Sequence, residues 1–245
     1  MDLKLHDKKA LVFGSSAGIG RAIAETLISE KASVVINSRH EGRLQHCVQE
    51  LKANGGVIAD LTLPLQAQQA VNTAITKLNG LDILVMNTGG PSKGAFSDIS
   101  AAQWHTDFQS LWMSFIEAVN AALPVMKKQK YGRIILVTSL AAKEPLPNLT
   151  TSNGLRAGLA GLCKSLANEV AADGITVNLL LPGYTDTDRL KELKLSEEKI
   201  RLMIPAGRLG DPQELASLAC FLASPLAGYI TGQSIAVDGG VLRAH

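Results

Sequence analysis

The chain has 245 residues, 46% hydrophobic and 19% charged, with a formal net charge of +2. That balance suits a soluble protein with a substantial core, and its scattered charges offer neither a basic stripe for nucleic acid nor a polybasic patch for a membrane surface. Three distant cysteines, Cys47, Cys163 and Cys220, give no disulfide framework and no metal-ligand spacing, so a reducing cytoplasmic setting is expected.

Lys9–Phe13 is short, apolar and runs into glycine, the pattern of a buried parallel strand. The turn Gly14-Ser-Ser-Ala-Gly18-Ile-Gly20 follows, then helical periodicity over Arg21–Glu30. Ser33–Asn37 is a second strand and Glu41–Ala53 a helix; Gly56–Asp60 is a third strand and Leu65–Leu78 a helix. Leu81–Asn87 makes a fourth strand, stopped by Thr88-Gly-Gly-Pro. One long helix is expected from Ala101 to Gln129, a fifth strand over Arg133–Ser139, a helix over Thr150–Ala172 and a sixth strand over Thr176–Leu181. Helices over Ser196–Ile204 and Pro212–Ala223 and a strand over Ser234–Val237 complete the chain. No linker, repeat, signal core or membrane-length apolar run interrupts the series, so residues 1–245 are expected to form one domain.

Alternation of apolar strands with helices predicts an α/β fold, a doubly wound parallel sheet with helices on both faces. Ligands of such sheets bind at the carboxyl ends of the strands, where the polar and glycine-rich clusters of this chain fall. Gly14, Gly18 and Gly20 let the backbone turn tightly and approach a pyrophosphate at a helix amino terminus. Ser15, Ser16 and Ile19 lie in the same loop. The second strand ends at Asn37-Ser38-Arg39 with no carboxylate for ribose hydroxyls, and Arg39 suits a 2′-phosphate, which favours NADP. Asp60 can accept from an adenine amino group or cap a loop, and Asn87 can bridge strands or position a cofactor.

Taken in order, these motifs resemble the short-chain dehydrogenase/reductase family over essentially the whole chain. The resemblance includes the Gly14–Gly20 loop, Asp60-Leu61, Asn87-Thr-Gly89, Ser139, Gly161-Leu-Cys-Lys-Ser-Leu-Ala167, Pro182-Gly183 with Thr187, and Gly207-Arg-Leu-Gly210. Thr231-Gly-Gln233 and Val237-Asp-Gly-Gly240 extend it to the C-terminus. It implies a Rossmann-type core, a nicotinamide cofactor touching Pro182, Gly183 and Thr185 as well as the loop residues, and often a homotetramer. The general look is that of 3-oxoacyl-carrier-protein reductases.

The family's chemistry uses Ser, Tyr, Lys and usually Asn. Ser139 matches the first role, but the positions expected for Tyr and Lys hold Ser152 and Arg156, and Leu111 stands where Asn is expected. The chain's tyrosines, Tyr131, Tyr184 and Tyr229, lie outside that helix. Serine is a far poorer proton source than tyrosine, and arginine stays charged and donates in a planar fork. Ser139 and Ser152 are therefore expected to hold an oxyanion, and Arg156 to hold cofactor ribose or an anionic group of a small-molecule substrate. Tyr184 is a candidate replacement acid. Two readings follow: an NADP-dependent oxidoreductase acting on a carbonyl or conjugated carbonyl, or a catalytically silent NADP-binding sensor or partner subunit. Dehydration or epimerisation with a tightly held cofactor is a third, weaker possibility.

Overall fold

The computed structural model describes residues 2–191 and 196–243. Its strands are β1 (Lys9–Val12), β2 (Ser33–Ser38), β3 (Gly55–Ile58), β4 (Ile83–Asn87), β5 (Gly132–Val137), β6 (Ile175–Pro182) and β7 (Ser234–Val237). They form one sheet in the order β3-β2-β1-β4-β5-β6-β7, with every neighbouring pair parallel. The order reverses between β1 and β4, so the crevice of this doubly wound sheet opens where Val12 and Asn87 end.

Successive β1 residues serve opposite faces. Leu11 packs with the helices α3 (Gln66–Leu78), α5 (Ser114–Gln129) and α6 (Thr150–Val170). Ala10 and Val12 pack instead with α1 (Gly18–Ser29), α2 (Glu41–Leu51) and α9 (Pro212–Ala223). Because both faces are covered, the strands are apolar almost throughout, the property that made them visible in the sequence. Helix α9 begins where Asp211 accepts from Gln213 N at 2.9 Å and Glu214 accepts from Asp211 N at 2.8 Å, a reciprocal cap followed by proline at the first helical position.

Several expected bounds shift by one to three residues, and two differences bear on the site. The third strand begins at Gly55 and stops at Ile58, so Asp60 lies in the following turn; Leu44 fills the space over Gly56, where a Cβ would approach its Cγ to 2.7 Å. The long helix is divided into α4 (Ala101–Phe108), a π-helical segment at Gln109–Met113, and α5. The widened turn buries Leu111 and lays Trp112 on bare Gly158 of α6, where a Cβ would come within 2.7 Å of the indole.

Helices α7 (Asp188–Lys191) and α8 (Glu197–Met203) follow β6, and residues 192–195 between them lie outside the described residues. No helix among the described residues is long and apolar enough to cross a membrane. A groove of about 580 Å³ beside the edge strand β3 is lined by Glu41, Leu44, Ile58 and Gln69 and shares no lining residue with the crevice.

Candidate active site

The turn between β1 and α1 is built to bring backbone close. Gly14 has φ +58°, and a Cβ there would fall on the Asn87 carbonyl. Asn87 Nδ2 donates to Gly14 O at 3.1 Å, tying β4 to the turn. From the other side Asn37 Oδ1 accepts from Gly14 N at 3.1 Å, while its Nδ2 donates to Val57 O and Ala59 O at 3.2 and 3.3 Å. Helix α1 then starts at Ala17, which supplies no side-chain cap, and its first turn carries no acidic residue. Its leading amides are left for an anion, favoured by the helix dipole.

Two members of this loop act differently from the expectation of direct cofactor contact. Ser15 is fully buried; its hydroxyl donates to Val12 O at 2.7 Å and accepts from Asn37 N at 2.8 Å. Gly20 is also buried, and a Cβ there would fall on Gly14 O. Both residues shape the turn from behind, and neither lines the crevice.

The crevice has two arms. The first, about 620 Å³, is lined by Gly14, Ser16, Ser38, Arg39, Asp60 and Leu61, with Asn87 and Gly89 at its inner end. Arg43 adds a second guanidinium beside Arg39 on this wall. Asp60 Oδ1 accepts from Thr62 N and Oγ1 at 3.0 and 2.8 Å, so it caps its own turn. Burial opposes its ionisation, but the Thr62 hydrogen bonds and the Arg39 charge outweigh burial and hold its pKa below the ordinary carboxylate value.

The second arm, about 420 Å³, brings together Gly18, Ile19, Ser139, Ser152, Arg156 and the β6 end at Pro182, Gly183 and Thr185. Ser139 Oγ accepts from Ala141 N at 3.2 Å, which leaves its O–H free to donate. Ser152 and Arg156 stand one turn apart on α6 and share a face. Ser152 is 3% exposed and makes no side-chain hydrogen bond among the described residues. Arg156 is 6% exposed, and its Nε is buried without a hydrogen-bond partner among them. Burial, and after it the positive charge of Arg189, pulls the Arg156 guanidinium down to about 10, so it remains cationic at neutral pH.

The first turn of α6 is locked to the loops around it. Thr151 Oγ1 donates to Ser92 O at 3.1 Å, and Asn153 bonds both the N–H and the carbonyl of Leu146, at 3.0 and 2.9 Å. Lys143 and Glu144 do not line this arm, and Glu144 instead accepts from Arg243 N at 3.1 Å.

Tyr184 is corrected as a candidate acid: it lines a separate cavity of about 70 Å³ with Arg208, Glu214 and Asp238. Tyr131 Oη donates to Ala223 O at 2.9 Å and burial pushes its pKa up to about 12, while Tyr229 is fully exposed. None of the three tyrosines lines the second arm. Burial likewise pushes the Cys163 and Cys220 thiols up to about 12, which leaves them inert as nucleophiles.

Asn37, Thr187 and Arg189 have structural places that the residue-level expectations did not assign them. Asn37 was hidden inside a strand, where it looked like a polar strand end. Thr187 Cγ2 would lie 3.3 Å from a Cβ on Gly18, so the loop after β6 closes directly on the α1 terminus. Arg189 lines both arms.

Glycines that let backbone approach, uncapped α1 amides, the Arg39 wall and the unpartnered Arg156 Nε fit a phosphorylated dinucleotide in this crevice. A profile of the family described as enoyl-(acyl carrier protein) reductase matches residues 14–242. The 3-oxoacyl-acyl-carrier-protein reductase of Vibrio cholerae is 38% identical over 242 residues, covering 98% of this chain and 99% of the relative. Among solved structures, YwfH, an NADPH-dependent reductase involved in bacilysin biosynthesis, superposes with TM-score 0.93 at 32% identity, over 98% of this chain and 100% of YwfH. L-Sorbose reductase from Gluconobacter frateurii, complexed with NADPH and L-sorbose, superposes with TM-score 0.94 at 30% identity over 100% of both chains. The chain belongs to the short-chain dehydrogenase/reductase family.

Proposed function

We propose that this protein is an NADP-dependent reductase of a small carbonyl or conjugated carbonyl compound, with Ser152 and Arg156 standing where relatives carry tyrosine and lysine. The observation that carries this reading is the convergence of Ser139, Ser152 and Arg156 on one arm of a crevice whose other arm is walled by Arg39. NADPH, when bound, supplies the hydride.

Arg39 and Arg43 hold the 2′-phosphate by charge-assisted bonds, and the α1 amides hold the diphosphate. The Ser139 hydroxyl, its acceptor side used by Ala141 N, donates to the substrate oxygen as negative charge develops there. Ser152 donates beside it. Neither hydroxyl is acidic enough to deliver the proton, which comes from water or, in a conjugate reduction, reaches carbon without the usual tyrosine. Arg156 keeps its charge and has no ion-pair partner among the described residues, which favours cofactor ribose or an anionic group on the substrate. The family description names an enoyl reductase and the Vibrio relative a 3-oxoacyl reductase, so both carbon–carbon and carbonyl reduction belong in the test.

The direct test follows NADPH oxidation against ketones, enones and oxo acids, with product mass identifying the reduced bond. Turnover of at least one class supports the reading. Binding without turnover across the panel favours a silent NADP-binding sensor or partner subunit, the reading motivated by the lack of a tyrosine in the arm. In that case Ser152→Tyr combined with Arg156→Lys is expected to create activity. The family resemblance implies a homotetramer, and the three distant cysteines favour a cytoplasmic location; light scattering tests the first.

A further inference from the structure

The two arms of the crevice meet at a passage bordered by Asn87, Gly90, Pro91 and Arg189, the residues common to both walls. Arg189 comes from α7, in the loop after β6. Its guanidinium lies against Gly90 so closely that a Cβ on residue 90 would fall on it. Glycine at this place is what lets the cation lie across the passage.

Among the described residues the charge on Arg189 has no ion-pair partner. The nearby carboxylates Asp186 and Asp188 both pair with Lys191, each at 3.7 Å. No ion pair or hydrogen bond of Arg189 occurs among the described residues, and its positive charge acts repulsively on Arg156. Arg156 is itself buried with Nε unpartnered. Two guanidiniums therefore face one crevice, and neither forms an ion pair among the described residues. The second arm is also lined by Gly18 and Ile19 at the uncapped start of α1, and a Cβ on Gly18 would lie 3.3 Å from Thr187 of the Arg189 loop.

We infer that Arg189 is a diphosphate clamp: it grips the cofactor's pyrophosphate together with the α1 amides and closes over the passage between the two arms. A dinucleotide with one nucleoside in each arm must run its diphosphate through this passage. That group carries the charge which offsets the repulsion between Arg189 and Arg156. The inference rests on the NADP reading, because it presumes a dinucleotide spanning both arms.

The test measures dissociation constants by calorimetry or fluorescence for NADPH and for adenosine 2′-phosphate, which fills only the first arm and has no diphosphate. Arg189→Gln is expected to weaken NADPH about tenfold, the scale of one charge-assisted hydrogen bond, and to leave adenosine 2′-phosphate unchanged. Arg189→Lys, which keeps the charge and loses the fork, is expected to fall between. Arg189 is exposed, so its replacement is expected to leave folding intact, and unchanged adenosine 2′-phosphate binding checks this. Unchanged NADPH affinity in Arg189→Gln overturns the clamp, as does equal weakening of both ligands. A raised substrate KM with unchanged NADPH affinity also overturns it and assigns Arg189 to the substrate. A wild-type protein that binds neither ligand overturns the NADP reading itself, a result distinct from failure of the clamp alone.

Discussion

Asn37 Oδ1 accepts from Gly14 N at 3.1 Å, so a side chain buried in β2 holds the first glycine of the cofactor turn. The same amide donates to Val57 O and Ala59 O, linking the turn to β3. Asn37→Ala strands one backbone donor and two acceptors in a buried place, and each unsatisfied group costs about 1–3 kcal/mol. Urea unfolding is expected to show a loss of at least about 2 kcal/mol, together with weaker NADPH binding. A loss below about 0.5 kcal/mol, the scale of a neutral surface change, would remove this role.

Glycine substitutions are expected to have opposite signs at different places. Gly14→Ala puts a Cβ on the Asn87 carbonyl in a backbone with φ +58°, combining a steric collision with left-handed strain of about 1–2 kcal/mol. It is expected to destabilise by more than the strain alone and to abolish NADPH binding. Gly42 lies exposed in the first turn of α2, where a Cβ would meet no atom within 4 Å, and Gly42→Ala is expected to stabilise by about 0.4–1 kcal/mol. Thermal unfolding of the pair checks both signs.

Stability at low pH has a local contribution at the start of α9. The Arg208 guanidinium, and then the Asp211 N–H, hold Glu214 at a pKa of about 2 against an ordinary 4.5. A carboxylate depressed in the folded state stabilises it fully above its unfolded pKa, and that contribution fades as pH falls from 4.5 toward 2. Because the pair is exposed, the effect is small and weakens with salt. Arg208→Gln is expected to flatten this part of the stability–pH curve; an identical curve in the variant would contradict the assignment.

Cofactor choice tests the Arg39 wall. Arg39→Gln is expected to weaken NADPH by roughly tenfold or more while changing NADH little, since only the former carries the 2′-phosphate. Wild-type protein preferring NADH by more than about tenfold would contradict the wall's assignment to that phosphate.

Much of the fold was legible because its strands are buried on both faces and its helices are amphipathic. Pro212–Ala223 and Ser234–Val237 match the expected bounds, and α8 starts one residue after Ser196, its cap. The break in the long helix was not legible, and the packing of Trp112 on Gly158 that accompanies it joins residues far apart in the chain. The same limit applies at the site. Ser139, Ser152 and Arg156 could be placed in one cleft from motif register alone. That Ser15 and Gly20 brace the turn from behind, that Tyr184 faces another cavity and that Arg189 reaches Gly90 depends on loop geometry, for which spacing along the chain carries no signal.

The central claim is that Ser139 and Ser152 act on a substrate oxygen beside a bound NADPH. The most direct measurement is the turnover number of wild type, Ser139→Ala and Ser152→Ala on a substrate found by NADPH oxidation, with NADPH affinity measured in parallel. Loss of an oxyanion donor is expected to lower kcat by about 10²–10³ for Ser139→Ala, and by a smaller but clear factor for Ser152→Ala. NADPH affinity is expected to stay unchanged in both variants. Full turnover in both variants, or a wild-type protein that binds NADPH and oxidises none of it across the panel, would contradict the account.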